Sequence, residues 1–172
     1  TYSIGFGASD RLALTGEFRE RRYPSGPLRS RTRDIAELTA LWTHSLANGK
    51  TSLSLGGSFA EEWATQERVD GDASIWSVRS SLDHAFSDSL DAFFFLEYWE
   101  EGYDEERPDF STDPSLLVQR SDDLVYAGGG LIWSFAPGWT LRPSIEYDWE
   151  NSNIPALAYS KTEAWVTVRK SF

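Results

Sequence analysis

The chain has 172 residues, no cysteine and a formal net charge of −11, with 16 Lys and Arg residues against 27 Asp and Glu residues. The length suits one domain, and the acidic balance argues against general nucleic-acid binding. The lack of cysteine excludes disulfides, thiolate catalysis and zinc–sulfur sites. Although 25% of the residues are charged, 15% are aromatic and 8 are Trp. This combination predicts that apolar and charged side chains are sorted onto separate faces.

Apolar and polar residues alternate along most of the chain, which is the side-chain period of a β-strand. In TLRPSIEYDWE (140–150), a helix would scatter the carboxylates around its axis, whereas a strand puts them on one face. The alternation predicts nine strands, at residues 2–9, 11–23, 34–46, 51–65, 74–86, 90–104, 122–136, 139–151 and 159–172.

The breaks between these strands alternate in kind. Four are tight, at 9–11, 47–50, 87–89 and 137–138. The others are longer and polar: PSGPLRSRTRD, ERVDGDAS, ERPDFSTDPSLLVQRSDD and NSNIPALA. Tight turns at one end and long loops at the other predict an up-and-down meander.

One face of such a sheet needs an apolar partner. A soluble sandwich or barrel turns its apolar face inward, whereas a membrane barrel turns it towards lipid. Aromatic residues near strand ends favour lipid, because membrane barrels carry aromatic girdles at both interfaces. These residues are Trp42, Phe59, Trp63, Trp76, Phe86, Tyr98, Trp133, Phe135 and Trp149. Gly16, Gly57 and Gly129 share their phase and would fill a packed core poorly.

The predicted fold class is therefore all-β, an antiparallel up-and-down transmembrane β-barrel with about 8–10 strands in this chain. Residues 1–172 form a single transmembrane barrel domain in this interpretation. Single-chain bacterial barrels normally have an even number of strands. Either residues 1–23 are one long strand, or the chain is the C-terminal portion of a longer chain that forms a larger barrel.

The opposite phase of the strands carries charges of both signs, which suits a hydrated or ion-paired lumen. The predicted lumen-lining residues are Glu17, Arg19, Glu37, Arg79, Asp83, Asp91, Glu97, Arg142, Glu146, Asp148 and Arg169. They predict a polar, mixed-charge pore for a solute or polymer, with a preference for cations. Two alternatives stay open: a translocation or assembly barrel for a surface lipoprotein, and a small structural barrel closed by salt bridges.

The final strand, AWVTVRKSF, has Ala164, Val166, Val168 and Phe172 at alternate positions. It resembles the C-terminal signature of bacterial outer-membrane β-barrel proteins, although Lys170 stands where that signature usually has an apolar residue. The resemblance implies a Gram-negative outer membrane with a periplasmic C-terminus, and lipid and lipopolysaccharide as surroundings. It also implies that Val166, Val168 and Phe172 form a signal for the barrel-assembly machinery. More loosely, residues 150–172 resemble the closing hairpin of surface lipoprotein assembly modulator barrels.

No catalytic residue, metal site or cofactor is predicted. His44 and His84 both fall on the lipid-facing phase, where an imidazole serves as an interfacial polar group rather than an acid or base. The carboxylates of WEEGYDEERPDF match no calcium-loop template, and AGGGLIW lacks the strand-to-helix step of a phosphate loop.

One group of arginines is expected to pair with acidic residues 100–113, or else to bind lipopolysaccharide phosphates. The group consists of Arg19, Arg21, Arg22, Arg29, Arg31 and Arg33.

Overall fold

A computed structural model describes residues 1–22, 32–46, 49–65, 68–109 and 112–171. Within these ranges the chain forms nine strands and one short 3₁₀ helix, Pro155–Leu157. The strands are β1 (Tyr2–Phe6), β2 (Asp10–Arg21), β3 (Arg33–Ser45), β4 (Thr51–Ala64), β5 (Ala73–Ser87), β6 (Leu90–Asp109), β7 (Asp113–Ala136), β8 (Trp139–Ser152) and β9 (Tyr159–Lys170).

The strands form a single sheet in chain order, β1 to β9, and every neighbouring pair is antiparallel. The predicted all-β, up-and-down meander is therefore confirmed. Among the described residues, no helix is long and apolar enough to cross a membrane.

Each predicted strand is present, but one predicted loop is wrong. Residues 106–123 were expected as a long polar loop, whereas β6 continues to Asp109 and β7 begins at Asp113. The ladder continues through register shifts between Gly102 and Glu106 and between Pro108 and Asp109. Arg107 and Arg120 hold this extension in place, because both donate to the carboxylate of Asp70 in the β4–β5 connection.

The first strand ends earlier than expected, at Phe6 rather than residue 9. Gly7 has a φ of +68°, a left-handed conformation that glycine adopts without steric cost. The tight turn therefore begins at Gly7, and the ladder resumes at Asp10, which pairs with Phe6.

Directly opposite residues of antiparallel strands point to the same side of a sheet. One row of partners consists of Leu53, Leu82, Phe94, Gly129 and Ile145. We call the side that carries this row the apolar face.

The other side carries a different row of partners: Arg79, Glu97, Tyr126, Asp148 and Lys161. We call it the charged face. The sorting expected from the alternation is therefore present across the sheet.

The two ends of the sheet also differ. The turns at 7–9, 88–89 and 137–138 lie at one end, which we call the short-turn end. Residues 68–72 and 153–158 lie at the opposite end, the long-loop end, as do Asp109 at the end of β6 and Asp113 at the start of β7. The predicted tight turn at 47–50 lies partly outside the described residues.

Candidate functional site

Every residue predicted to line a lumen lies on the charged face, as the cross-strand registers show. These residues are Glu17, Arg19, Glu37, Arg79, Asp83, Asp91, Glu97, Arg142, Glu146, Asp148 and Arg169. That this face encloses a lumen stays a prediction.

Only some of these residues are brought into contact. Arg19 lies 2.6 Å from Glu37 and 3.3 Å from Glu17. The hydroxyl of Tyr126 donates to Glu146 at 2.8 Å. The guanidinium of Arg142 lies 4.5 Å from the ring centroid of Phe93, within the range of a cation–π contact.

The densest group of charges lies at the long-loop end of the charged face. Asp70 accepts hydrogen bonds from Nη1 of Arg107, at 3.1 Å, and from Nη1 of Arg120, at 3.0 Å. Arg120 also lies 2.5 Å from the carboxylate of Asp122, which is 1% exposed. Together with Glu62, Arg68 and Tyr103, described next, these residues form what we call the ion cluster.

The ion cluster is built around an aromatic ring. The ring of Tyr103 has the guanidinium of Arg120 at 4.6 Å and that of Arg68 at 5.2 Å from its centroid. Arg68 pairs with the buried carboxylate of Glu62, to which Arg33 also donates, at 3.0 Å. Cation–π contacts strengthen where the groups are shielded from water, so Tyr103 stabilises both arginines against the sheet.

Glu101 lies beside this cluster, and Tyr103 donates its hydroxyl to it at 3.0 Å. On β6 and β7 the apolar face ends near Tyr98 and Val125, so Glu101 lies beyond the apolar band. Burial raises the pKa of Glu101 because it disfavours the charged carboxylate. Burial likewise raises the pKa of the Tyr103 phenol.

The ion cluster fixes the connection between β4 and β5 against the sheet. Arg68 and Asp70 belong to that connection, whereas their partners lie on β4, β6 and β7. Removing one partner from a buried ion pair leaves an uncompensated charge, which is strongly destabilising. The arrangement therefore holds residues 68–72 over the charged face.

In the described part of the chain, no group of three or more His or carboxylate side chains is placed to hold a metal ion.

Sequence reasoning missed most of the ion cluster. Asp122 has the phase of the charged face, so the alternation of residues along β7 could have placed it there. Asp70 and Arg68 lie in a connection without periodicity, where the spacing of residues does not show to which side of the sheet a side chain points. Only the fold shows that they meet Arg107 and Arg120.

The expected pairing of the arginine group with residues 100–113 is wrong for its described pairs. Arg22 pairs with Asp34, Arg33 with Glu62 and Arg19 with Glu37. Neighbouring strands supply these carboxylates within one or two registers, so the arginines need not cross the sheet. Two members of the group, at positions 29 and 31, lie outside the described residues.

Both histidines lie on the apolar face, as predicted from their phase. Nδ1 of His44 lies 2.9 Å from Oδ1 of Asp10, which also accepts a hydrogen bond from Trp42 at 2.9 Å. His84 is hydrogen-bonded to Thr51 at 2.8 Å. Each imidazole therefore has a polar partner near the short-turn end of the sheet.

The residues of the proposed assembly signal are described only in part. Val166 and Val168 lie on the apolar face of β9 and are exposed. Residue 172 lies outside the described residues, so its role stays a prediction.

Comparison with solved structures found similarity to two outer-membrane proteins. The chain is similar to the outer membrane channel DcaP of Acinetobacter baumannii, with a TM-score of 0.63 and 19% identity, over 97% of this chain and 49% of that one. It also matches the outer membrane protein Ail of Yersinia pestis, studied in a phospholipid bilayer nanodisc, with a TM-score of 0.37 and 16% identity, over 95% of this chain and 100% of that one. No family model and no curated protein matches the chain.

The likeness to DcaP concerns the fold alone, and this chain spans about half the length of that channel. The resemblance to bacterial outer-membrane β-barrel proteins, first seen in the closing strand, is confirmed at this level. The weaker resemblance to lipoprotein assembly barrels stays a prediction.

Proposed function

We propose that this chain forms part of the wall of a channel in a bacterial outer membrane. Its apolar face contacts lipid, and its charged face lines a polar lumen through which a solute or polymer passes. The observation that carries the proposal is the inverted sorting of the sheet. Large apolar residues such as Leu38, Phe59 and Ile145 are exposed, whereas carboxylates such as Asp122 and Glu62 are buried.

Exposed apolar side chains on this scale need a partner, because contiguous apolar patches are rare on soluble monomers. Lipid provides one for a whole face at once. In membrane barrels, apolar residues point outward and polar residues inward along each strand. The sheet shows this alternation, and its fold is similar to that of an outer membrane channel.

The topology limits how the sheet could close. Within the described residues β1 pairs with β2 and β9 with β8. Because the strands alternate in direction, β1 and β9 point the same way, and a direct pair between them would be parallel. An all-antiparallel barrel therefore requires an odd number of further strands between them. We propose that a longer chain or a partner supplies these strands.

The orientation follows from the two ends of the sheet. Outer-membrane barrels have short periplasmic turns and longer extracellular loops, so we propose that the short-turn end and the C-terminus are periplasmic. Lipid, lipopolysaccharide and the barrel-assembly machinery would then be its partners, and the role would be non-enzymatic.

The proposed assembly signal can be tested at its last residue. Deleting Phe172 should reduce the folded fraction in membranes much more than it lowers the unfolding midpoint of protein refolded in detergent. If cellular assembly is unchanged, Phe172 is not part of such a signal.

A second candidate is a structural barrel with a closed lumen. The ion cluster favours it, because Asp70, Arg107 and Arg120 hold a connection over the charged face. A lipoprotein translocation barrel stays an alternative that co-purification of a lipoprotein would reveal.

Conductance separates the open from the closed candidate. Full-length protein reconstituted in planar bilayers should give stepwise currents that prefer cations under a salt gradient. Exchanging Asp83 and Asp91 for Asn should lower that preference, because both lie on the charged face. The matched control is Asp123→Asn, since Asp123 shares the phase of the apolar face and accepts a hydrogen bond from Tyr98. Inserted protein without any current would favour the closed barrel.

A further inference from the structure

A recess lies on the charged face, away from the ion cluster. It spans β3 to β6 and has a volume of about 360 Å³. Residues from all four strands line it, principally Leu41, Ser54, Arg79, Ser81, Phe95 and Glu97. The recess thus combines one aromatic ring, two opposite charges and hydroxyl groups.

The aromatic ring of Phe95 leans towards β7, onto Gly128. A Cβ atom at Gly128 would lie 2.6 Å from Cζ of Phe95, so only glycine permits this position. Tyr126 supports the ring from the side, with centroids 4.9 Å apart. Because the ring of Phe95 lies towards β7, it lies away from β5 and leaves the space beside Ser81 open.

The guanidinium of Arg79 leans in the opposite direction, over β4. Its Nε would lie 3.2 Å from a Cβ atom at Gly56. Glu97 is the direct register partner of Arg79 on β6. Nevertheless, among the described residues neither Arg79 nor Glu97 has an ion-pair partner within 4.0 Å.

We propose that this recess is a binding site for a zwitterionic amino acid with a large apolar side chain. The ligand carboxylate pairs with Arg79, its ammonium group pairs with Glu97, and its side chain packs on Phe95. The inference rests on the proposed channel, for which it names a class of solute.

The charges of the recess explain this choice of ligand. A simple anion would satisfy Arg79 but would meet the carboxylate of Glu97, and a simple cation would meet the guanidinium. A zwitterion satisfies both, through charge-assisted hydrogen bonds that are stronger than neutral ones. An aromatic side chain adds an offset or edge-to-face contact with Phe95.

Four probes isolate the parts of the ligand. L-phenylalanine has all three groups, 3-phenylpropanoate lacks the ammonium group, phenethylamine lacks the carboxylate, and glycine lacks the ring. Calorimetric titration of full-length protein in detergent should show L-phenylalanine binding about ten-fold more tightly than 3-phenylpropanoate or phenethylamine, the effect of one lost charge-assisted contact. It should also bind more tightly than glycine, which lacks the ring contact with Phe95. Equal affinity for L-phenylalanine and its analogues would overturn the proposal, as would no binding at all.

Variants assign each contact. Arg79→Gln should weaken L-phenylalanine binding but not phenethylamine binding, and Glu97→Gln should weaken L-phenylalanine binding but not 3-phenylpropanoate binding. Phe95→Leu should weaken L-phenylalanine but not glycine. The control is Phe93→Leu, because Arg142 already covers a face of that ring at 4.5 Å. Loss of binding in Phe93→Leu as large as that in Phe95→Leu would contradict the assignment.

Conductance keeps this proposal separate from the channel itself. If bilayers show currents but L-phenylalanine does not bind, the recess proposal fails and the channel stands. If L-phenylalanine binds with the variant pattern above and no current is seen, the recess proposal stands and the channel fails.

Discussion

The two faces of the sheet reverse the distribution expected of a water-soluble protein. On the charged face, Asp122 is 1% exposed and pairs with Arg120. On the apolar face, Ile145 is 57% exposed, although a soluble protein would bury such a residue. Both lie on neighbouring strands, β7 and β8. On this sheet, therefore, a paired charge is buried while a large apolar side chain on the next strand is exposed.

The energies of the two faces differ in kind. Burial of a charge costs free energy unless partners compensate it, so the charged face depends on specific pairs. In the proposed membrane barrel, the apolar face would gain from removal from water, at about 25 cal/mol per Å², and this gain would need lipid but no particular partner. Substitutions should therefore act locally on the charged face and by depth on the apolar face.

The largest effect is expected where the charged face is most buried. Arg120→Ala would leave Asp70 and Asp122 without a shared cation, which should lower the free energy of unfolding by about 3–5 kcal/mol. Denaturant titration of the protein in lipid vesicles measures this loss in the free energy of unfolding. The matched control is Arg22→Ala at the less buried pair with Asp34, where we expect a much smaller loss. Equal losses at both sites would show that burial of the ion cluster does not matter.

The next effect tests the apolar face. Phe94→Arg should destabilise the folded protein by about 2–4 kcal/mol if the site lies near the middle of a bilayer. Ser144→Arg, on the charged face, should be milder because a hydrated lumen tolerates a charge. The same vesicle titrations compare the two. Similar tolerance at both positions would mean that the faces are assigned the wrong way round.

A smaller effect contrasts glycines on the two faces. Gly128→Ala should destabilise by about 1–3 kcal/mol, because the added Cβ would lie 2.6 Å from Cζ of Phe95 and 2.8 Å from the carbonyl oxygen of Ile145. Gly16→Ala on the apolar face should be neutral or slightly stabilising, since nothing lies within 4 Å of its Cβ position. Tolerance of Gly128→Ala would show that Phe95 is free to move off β7.

The smallest effect is a pH dependence. Because burial raises the pKa of Glu101 in the folded state, its favourable contribution is complete below the unfolded pKa and is lost as pH rises through the folded pKa. Glu101→Gln removes this titration while keeping an acceptor for Tyr103. We expect wild type to lose stability relative to Glu101→Gln as the pH rises above about 4.3, the ordinary value for Glu. A constant difference across that range would contradict the burial of Glu101.

The sequence predicted the strands well because each residue's phase is a local property. Alternation placed Arg79 and Glu97 on one side and Phe94 and Ile145 on the other, and the registers agree. The sequence also indicated the tight turn at 137–138, where Gly138 has a positive φ, whereas Gly7 lies inside the predicted first strand and its turn was missed.

The ion cluster could not be predicted in the same way. Asp70 meets Arg107 and Arg120 across dozens of residues, and contacts of that range depend on the fold rather than on spacing. The extension of β6 and β7 was missed for the same reason, since polar residues 106–123 read locally as a loop. The recess around Phe95 also depends on Gly128 of the neighbouring strand, which no local pattern connects to it.

The most direct test of the two faces compares adjacent residues of β8. The chain has no cysteine, so Ile145→Cys and Ser144→Cys can each carry a single spin label in reconstituted membranes. Electron paramagnetic resonance then measures collisions with oxygen, which concentrates in lipid, and with a water-soluble nickel complex. We expect the label at 145 to collide mainly with oxygen and the label at 144 mainly with the nickel complex. If both labels respond to the nickel complex alone, the apolar face does not contact lipid, and the proposed membrane barrel is wrong.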